Sequence, residues 1–422
     1  MDIIEDRAQN DRVWVSKLNF DEDVRKQAFG AHLPERIRVR DSTIREGEET
    51  PGVYYTFEQK KEIVRVLHDI GIRDIDCGYV GVVEEQHELA AWIKDDGIGM
   101  NTHCHLSSKP SRYPEELEKI QAAGIDYVGF GLPINDWQIH LFSLPPVRSI
   151  LRIVPGMIKA IQKKTGAKII LDLVDATRTD LELVKETVRT AMGAGIDLIN
   201  IYDTVGALIP AIMRYFTGEI KTIAGSIPVG IHVHDDFGMA TASSCAGVEA
   251  GAEYVDLVVN KLGDRAGNAS LEETVASLEL LYGVKTGIKL EKLTGLSKLV
   301  EKISGVKLPV NKPIVGYNTF IHESELHVMG AHEKESWKCF TPFKPEVVGQ
   351  EEKVVFGPTT LHGDAVRSRA RHLGYLDLSD QQVQAILVET RARIKKARFV
   401  TAGEMDAIIH RHGKSRGQRT DG

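Results

Sequence analysis

Cysteine is scarce: the 422 residues hold four, Cys77, Cys104, Cys245 and Cys339, far apart and without a CxxC pair. Neither a disulfide framework nor a structural zinc knot can be built from them, and a reducing cytoplasm is the compartment that fits. Excess positive charge is missing too, the formal net charge being −7. Nothing here would neutralise a run of phosphates, so no nucleic-acid partner is expected. The basic clusters that do occur, from Arg391 to Arg398 and from Arg411 to Arg419, read as a solvated helix face and a frayed tail. No apolar run approaches the ~18 residues of a membrane span. Met1-Asp2-Ile3-Ile4-Glu5-Asp6 also lacks the basic-then-apolar order of a leader, so neither membrane insertion nor secretion is expected.

What is present is an ordinary globular balance, 42% hydrophobic and 27% charged, in a chain too long for one growing core. Short β-branched runs alternate with helix-period segments. The runs are Arg36–Thr43, Asp74–Gly78, Met100–His105, Tyr127–Leu132, Ala167–Asp175, Leu198–Thr204, Val229–His234 and Tyr254–Leu262. Thr56 with Gln59, and Thr179 with Glu182, predict capping boxes, and Gly71, Gly124, Gly195 and Gly251 fall where left-handed helix ends are expected. Eight βα units in roughly 250 residues predict an α/β fold, a (β/α)8 TIM barrel. The barrel is expected over residues 36–286, after an N-terminal extension of 1–35. Helical C-terminal subdomains over 287–412 and a flexible tail over 413–422 complete the expected order. The irregular stretch Pro309–Pro358, rich in Pro, Gly, His and aromatics, has the length of a functional loop.

Polar residues at the C-terminal ends of barrel strands are weighed first for chemistry. In Gly230-Ile231-His232-Val233-His234-Asp235-Asp236, the two histidines share a strand face. Such a pair suits a divalent metal, and equally two buried histidines bonded to backbone. Asp235 and Asp236 can orient them from behind. At the end of the first strand stands Arg40-Asp41-Ser42-Thr43-Ile44-Arg45-Glu46-Gly47-Glu48-Glu49. Glu46 is a candidate third ligand and Arg45 a partner for a developing oxyanion; the plainer alternative is a loop of exposed salt bridges. The hydroxyl of Thr204 and the amides after Asp203 can bind a carboxylate, and Asn268 can offer a fourth oxygen ligand. Further on, His322-Glu323-Ser324-Glu325-Leu326-His327 offers a general base beside a carboxylate, or simply two solvated histidines. Phosphate loops and nucleophile elbows are lacking, and the Gly129-Phe130-Gly131 pair is a weak cofactor signal.

Taken together these segments resemble the family of isopropylmalate, homocitrate and citramalate synthases in the DRE-TIM metallolyase superfamily, with HMG-CoA lyase as a more distant relative. Asp41-Ser42-Thr43-Ile44-Arg45-Glu46-Gly47-Glu48 is similar to the DSTLREGE opening, and His232-Val233-His234-Asp235-Asp236-Phe237-Gly238-Met239-Ala240 to the HxHNDxGMA run. Gly263-Asp264-Arg265-Ala266-Gly267-Asn268-Ala269 resembles GERAGNA. The segments from Asn311 to Gly316 and from His322 to Val328 resemble NKPIVG and HESGIHV. The resemblance runs from about residue 36 to about 375. It implies a divalent metal (Mg, Mn or Zn, with Fe also compatible) on Glu46, His232, His234 and Asn268. It also implies a Claisen-type condensation of acetyl-CoA with a 2-oxo acid, giving a 2-hydroxy acid plus CoA. Arg45 would stabilise the new alkoxide, while Thr204, Glu49 and Arg265 contact substrate. His327 supported by Glu323, or else His322, would be the base, reaching a partner subunit's site in a homodimer.

Two departures bear on the acceptor. The synthases carry Glu where this chain has Val174, before Asp175-Ala176, and Gln where it has Glu49. A leucine-binding regulatory domain of the family's kind, and feedback through it, are not expected. A carbon–carbon lyase or aldolase of the HMG-CoA lyase type on the same metal is the competing enzyme. The Cys-free loop from Gly263 to Asn268 speaks against it. A non-catalytic barrel, which Val174 would motivate, is opposed by the joint presence of Arg45, Glu46, His232 and His234.

Overall fold

The computed structural model describes residues 7–30, 33–107, 109–141, 144–323, 335 and 337–413. Each β-branched run becomes a parallel strand: β1 Arg38–Asp41, β2 Asp74–Asp76, β3 Asn101–His105, β4 Tyr127–Pro133, β5 Lys168–Val174, β6 Leu198–Asp203, β7 Val229–Val233 and β8 Tyr254–Leu257. They bond in chain order and β8 closes onto β1, so the expected TIM barrel is what forms. Alternation aims every second side chain outward at the helices. Ile231, for example, points at α7, where a Cβ on Gly247 would meet its Cγ1 at 2.6 Å.

The surrounding helices are α1 Phe57–Ile70, α2 Glu84–Asp95, α3 Tyr113–Ala122, α4 Val147–Thr165, α5 Leu181–Met192, α6 Pro210–Ala224, α7 Ala240–Glu249 and α8 Leu271–Ser277. α1 starts on the expected box: Thr56 Oγ1 accepts from Gln59 N, and Gln59 Oε1 accepts from Thr56 N at 2.8 Å. α5 does not. There Asp180 is the cap, accepting from Leu183 N at 3.0 Å, and Thr179 turns back to donate to Asp175 O. A carboxylate at the following position makes the stronger cap and displaces the hydroxyl. All four predicted glycines lie at positive φ, Gly71 at 116°. Among the described residues no helix is long and apolar enough to cross a membrane.

The barrel interior departs from the usual layers of branched aliphatics. An apolar cluster of Tyr127, Ile170, Leu198 and Tyr254 fills the end where the strands begin. Other inward positions are charged and paired. Arg38 donates to Asp74 at 3.0 Å through Nε, and Asp74 also holds His103 Nε2 at 2.9 Å. Arg40, 2% exposed, is clamped by both oxygens of Asp256.

The chain folds as two compact units. The first contains the barrel and runs to Leu308, apart from Gln9–Val15; the second joins that segment to the chain from Pro309 onward. Helix α9, Leu293–Ser304, stands with the first unit rather than the C-terminal part to which the sequence assigned it. The reason is local: Asn260, just after β8, donates to Ser297 O at 2.8 Å, and Leu293, Leu296 and Val300 are buried. In the second unit β9 Ile321–His322 pairs parallel with β10 Lys353–Phe356, which pairs antiparallel with β11 Val400–Thr401. Strands this short show no alternation in a sequence, which is why only helices were expected there. Helices α10 Gly363–His372, α11 Asp380–Ala397 and α12 Ala402–Gly413 enclose Phe356, Val366, Ile386, Met405 and Ile408.

A buried ion pair suffers most when only one partner is removed. Arg40→Met should therefore destabilise the fold by about 3–5 kcal/mol, and adding Asp256→Leu should recover most of the loss. Chemical denaturation of the two variants checks this; additive losses would show that the pair is not a unit.

Candidate active site

β7 delivers His232 inward, and the chain just past its end delivers His234, whose Nε2 lies 3.3 Å from His232 Nε2. The turn after β1 brings Glu46 to the same point, its Oε1 3.4 Å from His232 Nε2. One donor atom from each of Glu46, His232 and His234 lies within 4.8 Å of the others, and all three residues are buried. His232 Nδ1 is taken by Asp256 at 3.1 Å, which leaves Nε2 to face the other donors. Asn268, after β8, lays its amide against Glu46, Nδ2 donating to Oε2 at 3.2 Å. Its Oδ1 and the Nδ1 of His234 are buried without a partner among the described residues. Burial presses the Glu46 carboxyl upward, but Arg45 and the two imidazoles hold it below its ordinary value. Converging imidazoles, an ionised carboxylate and an unpaired amide oxygen are donor types that suit a divalent cation.

From Glu46 a chain of charge-assisted bonds crosses the mouth. Arg45 donates to Glu46 through Nη1 and to Asp76 through Nε at 2.9 Å. Asp76, wholly buried, accepts from His105 Nε2 at 3.1 Å, and Asp172 accepts from His105 Nδ1 at 3.0 Å. Burial lowers the affinity of His105 for its second proton, yet Asp76 and Asp172 outweigh this and raise its pKa to about 9. Arg45 and His105 in turn hold Asp76 well below the carboxylate range. The pair His105–Asp172 needs Gly129: a Cβ there would lie 2.3 Å from Asp172 Oδ2 and 2.7 Å from His105 Nδ1. The Gly129-Phe130-Gly131 pair thus clears space within the barrel and is no cofactor loop.

The site lines a cavity of about 470 Å³ that also takes in Tyr79, Leu106, Ser107, Gln138, Val174 and Tyr202. Glu49, Thr204 and Arg265 stand on its wall as well. Glu49 accepts from Arg45 Nη1 at 3.3 Å, and burial raises its carboxyl pKa. Thr204 Oγ1 accepts from Asp175 N at 3.0 Å, which keeps the hydroxyl proton for another acceptor. Arg265 is committed to Asp236 at 2.8 Å, Asp264 and the carbonyl of Thr204. The amides of Gly206, Ala207 and Leu208 are used internally, donating to the carbonyl and carboxylate of Asp203. Asp235 does not back the histidines either: it caps Ala240 and pairs with Lys261, while Asp256 does the orienting. In the second unit His322 stands 3.5 Å from Glu352, and Glu323 lies over Gly357. His327 lies outside the described residues.

Asp76, His105, Asp172 and Asp256 lie outside the sequence motifs that point to the site. A signal was available: Asp74-Ile75-Asp76 and His103-Cys104-His105 carry the same alternation as the His232–His234 pair.

The HMGL-like family model matches residues 36–300, so the chain belongs to the HMGL-like family. A homocitrate synthase post-HMGL domain-like model matches residues 314–398. Particular relatives are synthases. Homocitrate synthase AksA of Methanopyrus kandleri is 34% identical over 399 residues, 94% of this chain and 98% of that one. The 2-isopropylmalate synthase of Methanocaldococcus jannaschii is 34% identical over 393 residues, 92% of this chain and 73% of that one. Among solved structures, the HMG-CoA lyase of Brucella melitensis shares the fold with a TM-score of 0.56 at 18% identity, over 64% of this chain and 100% of that one.

Protonated His105 stabilises the fold because its pKa rises from 6.5 to about 9 on folding. That contribution is fully present below 6.5 and disappears as pH climbs through 9. The gap in melting temperature between wild type and His105→Asn should accordingly shrink across that window. A gap that stays constant would refute the imidazolium assignment.

Proposed function

We propose that this protein condenses acetyl-CoA with a 2-oxo acid, forming a 2-hydroxy acid and free CoA. The observation that carries the reading is the Glu46–His232–His234 cluster with Arg45 bonded beside it. The synthase names of relatives at about a third identity over most of the chain support it over lyase chemistry. Glu46, His232 and His234 would hold the divalent cation, Mg, Mn or Zn, with Asn268 Oδ1 as a fourth donor. A cation bound there polarises the acceptor's keto group.

Arg45 is buried and rigidly held by Asp76, so it can donate to the oxygen that becomes an alkoxide without reorganising. Thr204 directs its hydroxyl proton to the acceptor's carboxylate, and Glu49 and Arg265 complete the wall around the substrate. For the base that takes a proton from the methyl group of acetyl-CoA we propose His327 with Glu323 beside it, His322 being the alternative. The resulting carbanion attacks the ketone, and hydrolysis of the thioester releases CoA and drives the sequence forward. We place the enzyme in the cytoplasm as a homodimer. Light scattering of the purified protein tests the dimer.

His232→Ala and His234→Ala should abolish divalent-cation binding, measured by metal analysis after dialysis; unchanged metal content in the double variant would sink the assignment. Asp256→Asn should weaken it by about 10–100-fold by freeing the His232 ring. With the cation bound, Arg45→Lys should lower free-thiol release from acetyl-CoA by about 100-fold or more. A rate within threefold of wild type would remove Arg45 from the chemistry.

A further inference from the structure

The bonded chain that starts at Glu46 ends at Asp172, and it ends with one oxygen left over. With a carboxylate on each ring nitrogen, His105 donates from both. Its Nδ1–H satisfies Asp172 Oδ2. Asp172 Oδ1 is buried, on a residue 2% exposed, and has no donor among the described residues. Gln138 Oε1, on the wall of the same cavity, is likewise buried and without a donor. Two orphaned acceptors in one cavity are costly unless whatever enters brings hydrogen to them. The adjoining wall is bare where β4 presents Gly131, and Val174 supplies an apolar surface beside it, its Cγ2 3.5 Å from where a Cβ on Gly131 would lie.

We propose that the acceptor is a 2-oxo acid whose side chain ends in a hydrogen-bond donor, a hydroxyl or an ammonium group, received by Asp172 Oδ1 and the Gln138 amide. This rests on the condensation reading above and narrows it. A side chain ending in a second carboxylate would set like charge against Asp172, and the cations near by are already engaged: His105 by two carboxylates, Arg45 by Asp76, Glu46 and Glu49. An alkyl end would leave both oxygens buried and unpaired. Sites of this construction discriminate strongly against analogues that lack the bonding group. Val174 would then cover the aliphatic stretch between the keto acid and the donor.

The test is a panel of length-matched 2-oxo acids ending in methyl, carboxylate, hydroxyl or ammonium. Each is assayed by thiol release from acetyl-CoA, and titrated by calorimetry into the cation-loaded wild-type protein without acetyl-CoA. A donor-ended acid should exceed both the methyl- and carboxylate-ended ones by about tenfold or more in kcat/KM and in affinity. Asp172→Ala should collapse that ratio. If a methyl- or carboxylate-ended acid is preferred while thiol release proceeds, the inference falls and condensation stands. If no acid elicits thiol release although the cation is bound, the condensation reading falls. The binding order then decides the inference alone: tightest binding of a donor-ended acid upholds it, and any other order overturns it.

Discussion

Arg40 sits inside the barrel, and the carboxylate of Asp256 accepts from it on one side and from His232 on the other. A guanidinium in that position must be matched by an anion, and the anion must be saturated with donors to stay charged. Asp256 meets both conditions. Arg40 holds it well below the carboxylate range despite complete burial, so it remains an acceptor for His232 Nδ1. The tautomer and aim of the His232 ring thus follow from a charge pair in the barrel's interior. Arg45 repeats the logic one turn further on, balanced among Asp76, Glu46 and Glu49.

Much of this was legible beforehand. Eight runs at barrel spacing gave the architecture, because β-branched stretches between capped helices have few other ways to bury themselves. The HxH pair and the Arg45-Glu46 turn were found because strand alternation and strand-end position constrain them jointly. The interior went unread for a different reason. Asp74-Ile75-Asp76 and Arg38-Val39-Arg40 look like surface strands, charge outside and aliphatic inside, until closure of the sheet inverts the assignment. A sequence states which residues share a face, but not which face becomes the lumen.

The caps tell the same story on a smaller scale. Thr56 and Thr179 carry identical local signals, yet only Thr56 caps its helix, since Asp180 follows Thr179 and competes for the same amides. Asp235 and Asp236 stand next to His234 in the chain, where support for its ring is expected. The strand turns them toward Ala240, Lys261 and Arg265, and Asp256 from the neighbouring strand takes that place. Sequence adjacency is a poor guide to what stands behind a ligand on a strand, because the neighbour in space belongs to the next strand.

The paired interior also governs how such a protein can change. An aliphatic core absorbs substitutions gradually, a methyl group at a time. A lumen of matched charges does not: Arg40 and Asp256, or His105 and its two carboxylates, can be exchanged only together or not at all. Variation is thereby pushed to the wall positions that belong to no pair, Gln138 and Val174, with the bare Gly131 of β4 beside them. The paired frame is locked while the shape of the cavity wall stays open to drift, so the wall can change without disturbing the charges behind it.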